Sequence, residues 1–212
     1  MRKIKNITDI LINLESIRKK DSKIPLSKEK YRSISPDELG ITKYHGTCYD
    51  YAEYFAKMAI TNLGYHVYKN IELENKSLAL FMFRLYDSNW AYARKKHGHS
   101  TYYSHVWVQI RDGVNSINQI EQFPVEDVKG KLYTCGRYYS TYEESLDELF
   151  KKYKNFVFRK YAKEDDMKEG NLYYQLFQYK PFFLKNRFGL TQSQLLREIT
   201  RRGTLVREEG IL

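Results

Sequence analysis

Cys48 and His105 have the residue types and settings for nucleophilic chemistry. Cys48 lies in Gly46-Thr47-Cys48-Tyr49-Asp50-Tyr51-Ala52. There Thr47 can cap a helix, and Asp50, three residues on, can reach back in a capping box. Asp50 also puts a negative charge in the first turn, where the helix dipole favours it. Cys48 then falls at the first helical position, where backbone N–H groups and the positive end of the dipole stabilise a thiolate. A cysteine on an apolar helix stripe is ordinarily a small core residue. The capped start and a downstream histidine argue here for a reactive one. His105 opens the β-branched and aromatic run His105-Val106-Trp107-Val108-Gln109-Ile110, which reads as a strand. Asp112-Gly113 signals a hairpin, and residues 116–121 read as the returning strand, ending on Glu121. Antiparallel pairing could set that acid beside the histidine. A cysteine, a base and an acid that orients the base form an activated nucleophile. Asn118 is the reserve for the third member. Alternation puts it and Glu121 on opposite sides of the strand, so at most one serves unless a bulge intervenes.

Gly-Thr-Cys-x-Asp-Tyr-Ala at a helix start, a strand opening His-Val-Trp-Val, and an acid ending the next strand resemble the transglutaminase-like cysteine hydrolases, relatives of the papain-like proteases. The resemblance covers roughly residues 40 to 125. It implies Cys48 as nucleophile, His105 as base, and Glu121 at the position the family usually fills with Asp. It also implies that the cysteine opens the core helix while the histidine and the acid lie on adjacent strands.

The elements that must position these groups follow from the rest of the chain. Its 212 residues suit one domain with a sizeable core. Hydrophobic content of 42% with 16% aromatics excludes a disordered chain. Twenty tyrosines suit half-exposed contact surfaces. The net charge of +10 suggests an anionic partner, but no RNA-binding signature or zinc-finger spacing is present, so nucleic-acid binding rests on charge alone. Two cysteines, Cys48 and Cys135, are too few for a disulfide framework. No apolar run approaches a membrane span, and polar residues interrupt the N-terminal segment, so a cytoplasmic protein without a signal peptide is expected.

Ile7, Ile10, Leu11, Leu14 and Ile17 predict a first amphipathic helix, capped by Asn6 or Thr8 and ending near Arg18-Lys19-Lys20. Residues 21–39, punctuated by Pro25 and Pro36, read as an arm. The Cys48 helix carries an apolar stripe of Cys48, Ala52, Phe55, Ala56, Ala59 and Leu63, and stops at Gly64. Residues 65–73 alternate as a strand, and residues 78–85 read as a buried one. His66, within the first of these, reads as structural. Residues 87–104 form a basic, aromatic loop expected to contact substrate. Its His97 and His99 invite a metal reading, yet no ligand spacing accompanies them, and neither metal nor cofactor is expected. Cys135 lacks a helix start and an adjacent histidine and reads as structural. A helix follows from Thr141, a strand at 156–161, and a last helix from Thr191 to Gly203. Residues 172–183 fit no single pattern, with Pro181 limiting any helix.

The expected fold is α+β: a core helix bearing Cys48 packed on a mainly antiparallel sheet, with extra helices at both ends. Residues 1–212 form one domain, with a helical extension and arm over 1–39, a catalytic core over 40–160 and a C-terminal extension over 161–212. The expected activity is acyl transfer on an amide or ester of a protein or peptide substrate through Cys48, His105 and Glu121. Hydrolysis makes it a peptidase or amidase, and transfer to an amine makes it a transglutaminase. The N–H of Cys48 is expected in the oxyanion hole. The alternative is a basic binding module of the same fold without turnover, contacting nucleic acid or another anionic partner.

Overall fold

The structure is a computed structural model that describes residues 2–21, 33–42, 46–67, 76–87, 102–111, 117–120, 125–126, 132–133, 172–185 and 188–211. Helix α1 (Ile7–Asp21) begins where Asn6 Oδ1 accepts the Asp9 N–H at 3.0 Å. Its Ile10, Leu14 and Ile17 are buried at helical spacing, as the apolar period demands. Helix α2 (Cys48–Leu63) starts at Thr47 and ends at Gly64, whose φ of 75° is the left-handed conformation glycine adopts without strain. The N-terminal half of α2 is enclosed on all sides. Tyr49, Asp50, Tyr51, Ala52, Glu53, Tyr54, Phe55 and Ala56 are all buried, a wider face than the predicted stripe.

Strands β1 (His66–Val67), β2 (Ser77–Asp87), β3 (Tyr102–Arg111), β4 (Ile117–Ile120), β7 (Leu172–Tyr179) and β8 (Thr204–Ile211) form one sheet in the order β4-β3-β2-β7-β8. Strands β5 (Val125–Glu126) and β6 (Leu132–Tyr133) pair separately. Among the described residues every pairing is antiparallel except that of β1, which runs parallel to the first residues of β2. Strand β3 occupies one edge of β2 along its whole length, while β7 pairs from Leu80 onward. The short β1 therefore lies in line with β7 along the other edge. A single 3₁₀ turn (Phe182–Lys185) follows β7, and α3 (Gln192–Arg202) precedes β8, capped at Thr191.

The architecture is mixed helix and sheet, as expected for α+β. The residue range 172–183, which fits no pattern in the sequence, supplies strand β7, and the strand at 204–211 was not anticipated. Of the expected strand at 65–73, only His66–Val67 is described. The helix from Thr141 and the strand at 156–161 lie outside the described residues.

Both faces of the central strands are buried. On one face Leu78, Leu80 and Met82 of β2, Val106, Val108 and Ile110 of β3, and Phe177 and Tyr179 of β7 join the core with α1, α2 and α3. On the other, Ala79, Phe81, Phe83, Trp107 and Leu176 are buried, with Phe81 stacked on Trp107 at a centroid distance of 5.7 Å.

Candidate active site

The start of α2 is built by buried carboxylates that collect backbone N–H groups. Asp50 accepts the Thr47 N–H at 2.7 Å and the Thr47 hydroxyl at 2.8 Å, and its other oxygen accepts the Ile34 N–H at 2.8 Å. It thereby closes the helix start and pins the arm at 33–42 against it. Asp21 Oδ2, at the end of α1, accepts the Gly46 N–H at 3.1 Å and the Tyr51 hydroxyl at 3.0 Å. Glycine is required at position 46 by this close approach. A Cβ there would stand 2.6 Å from the Tyr51 ring and 2.8 Å from Asp21 Oδ2. Glu53, one turn into α2, accepts the N–H groups of Phe182 and Phe183 at 2.7 and 3.1 Å, fastening the turn after β7. Burial pushes Asp50 up to about 7 and Glu53 up to about 8, against the opposing pull of these hydrogen bonds.

Cys48 is the first residue of α2, half-buried, with its thiol free of any disulfide. That is the placement its residue type and spacing predicted. The neighbouring Tyr49 hydroxyl donates to Ser104 Oγ of β3 at 3.0 Å, with Met82 Sδ of β2 at 3.5 Å beside it. The head of α2 therefore rests on β2 and β3.

His105 does not join it. Ser104 faces α2, as do Val106, Val108 and Ile110, so the alternation of β3 projects His105 to the opposite face. There it is buried across from Phe83, on the side of Phe81 and Trp107. Cys48 packs against the core on the α2 side, so the alternation of β3 sets the two residues toward opposite faces of that strand. Glu121 lies outside the described residues, as do His97, His99 and Cys135. The reserve residue, Asn118, pairs with Ile110, five positions along β3 from His105. At about 3.4 Å per residue that is about 17 Å, so it cannot orient this imidazole. His66 is exposed beyond the far end of α2, about 24 Å along the helix from Cys48 at 1.5 Å per residue.

No family profile, no characterised protein and no solved structure matches this chain. The functional reading rests on the residues themselves. Two of those at the site went unread in the sequence. Glu53 carries no motif, although a glutamate between Ala52 and Phe55 on the apolar side of α2 is a signal that something polar must meet it. Tyr179 lies in a stretch whose strand character was not recognised. No helix among the described residues is long and apolar enough to cross a membrane.

Proposed function

We propose that the chain is a cysteine-dependent acyl-transfer enzyme of the transglutaminase-like kind, centred on Cys48 and acting on an amide or ester, with hydrolysis when water accepts the acyl group. The observation that supports this most is the thiol at the first position of a capped helix. There the sulfur sits beside the backbone N–H groups that the first turn of a helix leaves without an intrahelical partner. In the reaction the Cys48 sulfur forms a bond to the carbonyl carbon. The amine or alcohol leaves with the electron pair of the broken bond and a proton. Water then cleaves the thioester, releasing the acid and restoring the thiol. The alternation of β3 turns His105 away from α2, so its part as base is what the His105→Ala comparison below tests.

That placement of His105 favours a second reading, a basic binding module that does not turn over. The net charge of +10 would then serve an anionic partner. Alkylation by iodoacetamide and p-nitrophenyl acetate turnover, compared in the parent, Cys48→Ala and His105→Ala, decide between the readings. The enzyme reading expects rapid alkylation at Cys48 near neutral pH and turnover lost in Cys48→Ala. A parent thiol that alkylates slowly and turns over nothing leaves the binding module. Turnover unaffected by His105→Ala assigns the base to another residue.

A further inference from the structure

Tyr179 is a polar group on the α2 side of the sheet whose hydroxyl the fold leaves unaccounted for. It ends β7, opposite Leu80, on the face of the sheet that α2 covers. It is 6% exposed, and its hydroxyl has no hydrogen-bond partner among the described residues. Its electrostatic neighbours are Glu53, Tyr49, Cys48 and Asp50, the buried head of α2. A buried hydroxyl without a partner is destabilising, so one that is kept calls for an explanation. The ring is held firmly for this purpose. It packs against Phe182 at a centroid distance of 5.8 Å, and Glu53 fixes Phe182 through its backbone N–H. Burial raises the phenol well above its ordinary value, so the hydroxyl keeps its proton and can donate it in a hydrogen bond.

We propose that the Tyr179 hydroxyl is a hydrogen-bond donor to the oxyanion formed when Cys48 attacks a carbonyl. This rests on the acyl-transfer reading and gives the oxyanion hole a side-chain donor. As the sulfur–carbon bond forms, the carbonyl electron pair moves onto oxygen, and the phenol O–H receives that charge. The pair returns as the leaving group departs with its own electrons. A donor already in place and shielded from water needs no reorganisation at that moment.

Two probes separate this role from others. Acylation by p-nitrophenyl acetate passes through an oxyanion and releases p-nitrophenolate. Alkylation by iodoacetamide displaces iodide at a saturated carbon and forms no oxyanion. Tyr179→Phe removes only the hydroxyl. Its acylation rate is expected to fall about 10²–10³-fold, as for loss of one oxyanion donor. Alkylation of Cys48 is expected to be unchanged, and the melting temperature unchanged or raised, because an unsatisfied group has been deleted. Unchanged acylation by Tyr179→Phe, with Cys48→Ala inactive, overturns the inference while leaving Cys48 as nucleophile. Equal slowing of both probes, or a lowered melting temperature, assigns the hydroxyl a structural role and overturns it as well. Acylation of Cys48→Ala at the parent rate overturns the underlying reading, and this one with it.

Discussion

The two faces of β2 and β3 are both buried, yet they treat polar groups differently. Facing α2, the polar groups are short-range fasteners. Asp21, Asp50 and Glu53 each collect hydrogen bonds from segments distant in the chain and clamp those segments to the helices. On the far face His105, Gln109 and Arg111 alternate with the core-facing residues of β3 and lie on the side of Phe81 and Trp107. Burial alone therefore does not mark a site. What distinguishes the α2 face is that its polar atoms converge on one end of one helix, beside a half-buried thiol.

The largest expected effect tests whether the two faces are equally part of the core. Trp107→Ala on one side and Phe55→Ala on the other should each cost about 3–5 kcal/mol in urea unfolding. A Trp107 variant that loses less than about 1 kcal/mol would make the far face a covering and not a core.

The next effect tests the fasteners of the α2 face. Asp50 and Glu53 have folded values of about 7 and about 8, against ordinary values of 3.8 and 4.5. The folded chain thus holds protons there that the unfolded chain has released. Their contribution to stability is complete below the ordinary values and is lost as pH rises through 7 to 8. Urea unfolding at pH 5 and pH 9 should show the parent weaker at pH 9, and Glu53→Gln should lose less between the two. Stability of the parent that rises over this range would mean the two carboxyls are held ionised.

The smallest effect lies outside both faces. Lys57 bonds to Asp37 in an ion pair in which the aspartate is largely exposed. Lys57→Ala should change stability by about 0.5 kcal/mol or less, measured by the same unfolding experiment.

What was legible in the sequence was local. Thr47, Asp50 and Gly64 bound α2, and Thr191 and Gly203 bound α3, because caps are written within a few residues of the ends they close. The run at 78–85 was readable as a buried strand for the same reason. Strand β7 was not, since its Leu172-Tyr173-Tyr174-Gln175-Leu176-Phe177-Gln178-Tyr179 sets aromatics and glutamines side by side without a clean period of two. Strand β8 hides behind charged residues that an edge strand tolerates. The placement of His105 was in fact readable. Val106, Val108 and Ile110 alternate with it, so a helix covering those three must lie on the side the imidazole does not face. A motif drew attention to the residue type, and the period of the strand decided the outcome.

Strand β7 has a consequence for how the chain is made. It fills the second edge of β2, and the turn after it supplies the N–H groups that Glu53 holds across 129 positions. Until residue 183 has left the ribosome, a nascent chain presents a long hydrophobic β2 with one ladder incomplete and a glutamate without the N–H groups it accepts. Synthesis runs from the other end, so this protein finishes its centre last. Stalled or shortened chains that stop before residue 172 should seek that missing ladder in each other.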